Sequence, residues 1–184
     1  AMITMAAALH DIGKINVPES ILNKPGKLIQ EEFEIIKTHT TIGADIIDQM
    51  ISRSEKPLLR IAWEICRWHH ERWDGHGYPD GLIGEQIPIS AQVVALADVY
   101  DALISERCYK NAYDHETAMD MIMSGECGAF NPLLLKCLYE ISPELRIVVQ
   151  GNLGEEAYRQ EADRLAVEIM KKKSTPCSDR AQCM

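Results

Sequence analysis

Apolar residues recur at helical spacing along almost the whole chain, as in Phe33 and Ile36 followed by Ile42, Ile46 and Ile47, while convincing alternating runs are lacking. A half-buried strand needs a period of two, so this pattern restricts the fold to an all-α architecture. It predicts helices near residues 2–12, 30–38, 41–51, 56–71, 89–106, 115–124, 131–141 and 155–173. Gly13 stands as a stop for the first helix, and the stretch Pro18 to Lys27, with Pro25 and Gly26, breaks the pattern before the next. The segment from Asp74 to Pro88 carries Gly75, Gly77, Pro79, Gly81 and Gly84, which predicts a shaped surface loop there and no continuous helix. Lys171, Lys172 and Lys173 would place cations at the negative end of the last helix, ahead of a frayed tail over 174–184.

With 184 residues, 46% of them hydrophobic and 26% charged, the chain has the size and composition of a single globular core. A formal net charge of −9 argues against binding a nucleic acid polymer, which needs a clustered cationic face. An anionic substrate must therefore meet local positive charge, and bound divalent metals supply it. The six cysteines include no CxxC pair and no secretory signal precedes them, so reduced thiols and a cytoplasmic location are expected. The apolar run Met2 to Leu9 is too short to span a bilayer and reads as a core helix.

His10 and Asp11 close that apolar run, where two adjacent ionisable side chains need compensation. Taken alone, they fit a metal site and a hydrogen-bonded structural pair about equally well. His69 and His70 follow a helix carrying Trp63, Ile65 and Trp68. Side chains adjacent on a helix diverge by about 100°, so the pair suits two neighbouring ions better than one. Asp98 is embedded in the apolar run Val93 to Val99, where a carboxylate is expected to be buried and paired or metal-bound. Asp101, one turn later, is placed to support Asp98 or to hold a ligand histidine in its tautomer. His39 falls at the junction of two helical runs and says little by itself. Together these imidazoles and carboxylates suit iron, manganese or similar divalent ions better than a thiolate zinc site. Two such ions clamp the attacking and leaving oxygens of an in-line displacement at phosphorus.

The order HDIGK, a lone histidine, HHERWDGHGYP and then ADVYDAL resembles the HD-GYP branch of the HD-domain metal-dependent phosphohydrolases, over about residues 8–132. The segments KPGKL at 24–28 and ERCYK at 106–110 are similar too, with Cys108 where proline is common. The resemblance implies an HD-domain-like helical bundle over 1–150, and the chain's own pattern adds an extra C-terminal helix over 151–173 and a tail over 174–184. It implies that His10, Asp11, His39, His69, His70 and Asp98 are ligands of two or three divalent ions, with Asp11 bridging. Lys14 would contact the scissile phosphate or assist the leaving group, and Arg107 and Lys110 would bind phosphate. Tyr78 would stack on guanine or pack the loop down, and for Trp73 the packing role is preferred.

The implied activity is hydrolysis of cyclic di-GMP to pGpG and/or GMP in bacterial signalling. Family members carry a further ligand on a helix upstream of the HD pair, and this chain begins only nine residues before His10, so low activity is expected of this piece. Two other readings stay open: an incomplete signalling module whose GYP loop docks a diguanylate cyclase domain, and a hydrolase of another cyclic dinucleotide or nucleotide.

Overall fold

Helix α3 (Gln30–Ile51) runs unbroken for 22 residues where the sequence pattern predicts two shorter helices. The hydroxyls of Thr38, Thr40 and Thr41 donate to the carbonyls of Ile35, Lys37 and Thr38 within the helix, so these residues do not divert the backbone into a turn. His39 is consequently a mid-helix residue, fully buried, and not a junction residue.

The computed structural model describes residues 2–52, 56–105 and 112–149. Before α3 come α1 (Met2–Ala7), a 3₁₀ turn (Ile12–Asn16) and the short α2 (Glu19–Leu22). The first helix ends well before the expected Ile12, because Leu9 and His10 donate to the carbonyls three residues back, of Ala6 and Ala7, and tighten the chain. Helix α4 (Pro57–Trp68) starts with proline at its first turn, where a missing N–H costs nothing. A loop containing the 3₁₀ turn Gly84–Gln86 leads to α5 (Ile89–Ile104). Helix α6 (His115–Met123) is capped by Asp114, whose carboxylate accepts from Thr117 N–H at 2.7 Å, and α7 is Pro132–Glu140.

Among the described residues the fold is all-α, a helical bundle, and the one β feature is an isolated bridge between Asp74 and Ile83. Ala6 of α1, Ile47 of α3, Leu59, Ala62, Ile65 and Cys66 of α4, and Val94 of α5 form the core that ties these four helices together. Ile47 and Ile65 are fully buried, each stabilising the fold by about 1.5–3 kcal/mol.

The chain divides into two compact units, Ala1–Glu140 and Ile141–Met184. In the second, α8 (Ser142–Val149) is described; the helix expected over 151–173 and the tail over 174–184 lie outside the described residues. Among the described residues no helix is long and apolar enough to cross a membrane.

Candidate metal centre

Four segments of the first unit bring the site together. His10 and Asp11 lie in the turn after α1, His39 on α3, His69 and His70 directly after α4, and Asp98 on α5. Gly13 makes the first of these approaches possible. A Cβ there would lie 2.0 Å from the carbonyl oxygen of His39 and 2.6 Å from the Gly43 nitrogen, so only glycine lets the turn reach the α3 backbone.

The donor atoms then converge. His10 Nε2 lies 3.2 Å from Asp11 Oδ2 and 3.8 Å from Asp98 Oδ1, and His39 Nε2 lies 3.5 Å from Asp11 Oδ1 and 3.3 Å from His69 Nε2. Two sets form, His39 with His69 and His70, and His10 with Asp11 and His69, each with its donor atoms within 4.8 Å of one another. His69 belongs to both. The expected divergence of His69 from His70 is not found: α4 ends at Trp68, Tyr78 N–H donates to the His70 carbonyl, and the two rings stand 4.1 Å apart.

Three of the four histidines present the same edge inward. The Nδ1 of His10 faces the Ala7 carbonyl at 2.7 Å, that of His39 the Ile36 carbonyl at 2.6 Å, and that of His69 the Ile65 carbonyl at 2.8 Å. Nδ1 must carry the proton to donate there, which leaves Nε2 of the neutral His39 and His69 rings as a bare lone pair, whereas the His10 Nε2 faces Asp11 as a donor. Between His39 and His69, therefore, two acceptors face each other without a proton to share. Asp11 Oδ1 adds a buried oxygen with no hydrogen-bond partner. Acceptors that lack a donor, at the facing His39 and His69 Nε2 atoms and at Asp11 Oδ1, fit a divalent cation, and nitrogen and oxygen ligands without thiolates suit a first-row transition metal.

Electrostatics prepare the same set. Burial pushes the imidazoles of His39 and His69 down, His69 to about 3, and burial together with His69 pushes His70 down, so all three stay neutral near pH 7. Burial works to raise Asp11, but hydrogen bonds from His10 and from Lys14, whose Nζ is 2.5 Å from Oδ2, hold its carboxyl below the usual range. The bond to Asp11 raises His10 against the opposing effect of burial.

Other expected residues fall as follows. Asp98 is at the site but its side chain is 28% exposed, which corrects the expectation of a buried carboxylate: it projects from α5 toward His10 at the rim. Asp101 is exposed, and no hydrogen bond joins it to Asp98 or to a histidine among the described residues. Tyr78 stacks on the His70 ring at 4.8 Å and 25° and meets Phe33 edge-on, with Lys37 Nζ 5.5 Å from its centre. Trp73 packs its ring beside Gly84 and donates its backbone N–H to the Ala129 carbonyl. Arg107 and Lys110 lie outside the described residues.

Sequence reasoning passed over Glu71 and Asp80. Glu71 is 2% exposed, and its carboxylate accepts from the backbone N–H groups of Asp80, Gly81 and Leu82 at 2.7, 3.1 and 3.0 Å. Asp80 takes two bonds from Arg67 and one from Trp68 Nε1. The available signal was the loop itself, since a glycine-rich turn folded inward needs acceptors for its N–H groups.

Residues 1–130 match the family model described as the HD domain. The chain belongs to the HD domain family. Its membership of the HD-GYP branch, expected from HDIGK and DGHGYP, agrees with the relatives that this HD domain matches. A cyclic di-GMP phosphodiesterase of Thermotoga maritima is 46% identical over 154 residues, 84% of this chain and 41% of that protein. A 3'3'-cGAMP-specific phosphodiesterase of Vibrio cholerae is 43% identical over 154 residues, 84% of this chain and 28% of that protein. A cyclic di-GMP phosphodiesterase response regulator of Xanthomonas campestris is 44% identical over 137 residues, 74% of this chain and 35% of that protein. The HD domain chain thus spans less than half the length of these curated relatives. HD phosphohydrolases are metal-dependent, and the histidine and aspartate sets of this chain are of the kind that holds metal.

Proposed function

We propose that this HD domain is the catalytic part of a cytoplasmic cyclic dinucleotide phosphodiesterase that opens cyclic di-GMP to pGpG and/or GMP. The observation that carries the reading is the set of facing Nε2 lone pairs and the orphaned Asp11 oxygen beside Lys14. Relatives that match most of the chain are named for cleavage of cyclic dinucleotides, and they support the substrate class.

His10, Asp11, His39, His69, His70 and Asp98 would hold two or three divalent ions, iron or manganese. When bound, such ions supply Lewis acidity at phosphorus and make a nucleophilic oxygen available near neutral pH. The chain's own residues do the remainder. Burial keeps His39, His69 and His70 neutral and ready to donate lone pairs. His10 and Lys14 keep Asp11 ionised. Lys14, with its side chain 41% exposed, presents a cation that a scissile phosphate oxygen or the leaving oxygen can meet, and Arg107 and Lys110 would grip the phosphates. Tyr78 forms the wall on which a guanine can rest.

Turnover of cyclic di-GMP by the manganese- or iron-loaded chain, followed by chromatography of pGpG and GMP, tests the reading. Asp11→Ala should abolish turnover; hydrolysis at the wild-type rate in that variant rejects the assignment.

A further inference from the structure

His70 differs from the other histidines of the centre. The rings of His10, His39 and His69 are each locked by an Nδ1 bond to a backbone carbonyl, while the His70 ring takes part in no hydrogen bond among the described residues. Ligand histidines usually owe their orientation to such an outer bond. The His70 ring rests instead against other rings, with His69 at 4.1 Å and the face of Tyr78 stacked on it at 4.8 Å.

Tyr78 is in turn held by its loop, and the loop is held by Glu71. Tyr78 N–H donates to the His70 carbonyl at 3.2 Å, and Gly77 lies so close that a Cβ there would be 2.4 Å from the Glu71 Cα. Just beyond, three consecutive backbone N–H groups converge on the buried Glu71 carboxylate. One oxygen accepts from Asp80 and Gly81 and the other from Leu82, so both are committed to the loop. A carboxylate bound to three backbone donors is a strong, charge-assisted anchor.

We propose that Glu71 is a positioning residue for His70: its carboxylate clamps the backbone of residues 80–82, and the clamped loop lays Tyr78 against the His70 ring in place of the hydrogen bond that orients the other three histidines. The inference rests on reading the centre as metal-binding but not on the identity of the substrate. Glu71 touches no reacting atom; it acts through Tyr78. Replacing it with glutamine puts an amide N–H₂ opposite a backbone N–H, so at least one of the three bonds is lost and the negative charge with it.

The full chain is titrated with Mn²⁺ alone, and amide hydrogen exchange is followed across residues 80–82. Glu71→Gln should weaken Mn²⁺ binding roughly 10- to 100-fold, the range typical for loss of an outer partner, while the loop amides exchange faster. Tyr78→Ala should reproduce the weakening, and Tyr78→Phe, which keeps the stacking face, should bind Mn²⁺ like the wild type. Wild-type Mn²⁺ affinity in Glu71→Gln despite faster loop exchange reduces Glu71 to a loop staple and overturns the proposal. Should Glu71→Gln fail to fold, the tyrosine pair decides: Tyr78→Ala binding as tightly as Tyr78→Phe overturns it. A wild-type chain that binds Mn²⁺ without hydrolysing cyclic di-GMP sinks the proposed function and leaves this inference standing, whereas a wild-type chain that binds no Mn²⁺ sinks both.

Discussion

His39 and His69 point their Nε2 atoms at each other across 3.3 Å, and both rings spend their only proton on a backbone carbonyl. Two lone pairs facing each other at that distance have no proton to share, and a bound cation would satisfy both. A cation that binds only the folded chain at about 100 times its Kd adds about 2.7 kcal/mol of stability. Thermal melts with Mn²⁺ and with chelator should separate accordingly, and coincident melts would show that the facing imidazoles hold no metal.

His69 belongs to both donor sets and His70 to one. Through its single Nε2 lone pair His69 is a donor available to either set, one ion at a time, so His69→Ala should lower the manganese bound per chain more than His70→Ala does. Metal analysis after gel filtration measures this, and equal losses would contradict the shared role of His69.

Gly13→Ala should destabilise the fold by about 1–3 kcal/mol or more, as overpacking does. The added Cβ would fall 2.0 Å from the His39 carbonyl oxygen, so the turn must back away from α3 and carry Asp11 from His39. Chemical denaturation and Mn²⁺ titration should both register the change. An undisturbed variant would mean that the close approach is absent in solution.

Asp80→Asn should cost about 0.5–1 kcal/mol near pH 7, since the forked pair with Arg67 is well formed but partly exposed. The hydrogen bond from Arg67 holds the Asp80 carboxyl below its ordinary value. A depressed folded-state value means that the stabilisation is fully present above the unfolded value of about 3.9 and is lost as pH falls through the folded one. Denaturation curves of wild type and variant should thus differ at pH 7, begin to draw together below about pH 4 and meet only below the depressed folded-state value. A gap that persists in acid would point to packing instead.

Cys66 is buried, and burial, aided by the nearby Asp11 charge, pushes its thiol up to about 12. Cys137 is exposed. Iodoacetamide at pH 8 should alkylate Cys137 in the native chain and spare Cys66, because the thiolate is the reactive form. Peptide mass spectrometry reads the result, and rapid labelling of Cys66 would reveal opening of the core between α1 and α4.

Periodicity along the chain was enough for an all-α fold, because the spacing of apolar residues is a local property that each helix carries in its own sequence. The motifs HDIGK, HHERWDGHGYP and ADVYDAL likewise name the candidate donors, since side-chain chemistry is written in residue type. Helix limits were less legible. The run through His39 and Thr40 has weak intrinsic preference for helix and predicts a break, yet burial against the HD turn makes α3 continuous.

Tertiary structure alone decided how the donors meet. The contact of Gly13 with the α3 backbone brings Asp11 to His39, the end of α4 at Trp68 lets His69 and His70 share one set, and Asp98 sits at a rim and not in the core. The role of Glu71 was equally hidden, because a carboxylate acquires three backbone donors only when a loop folds back across it. Composition and spacing name the groups that can donate a lone pair; the distances and directions between them arise from packing between segments far apart in the chain, which no local pattern encodes.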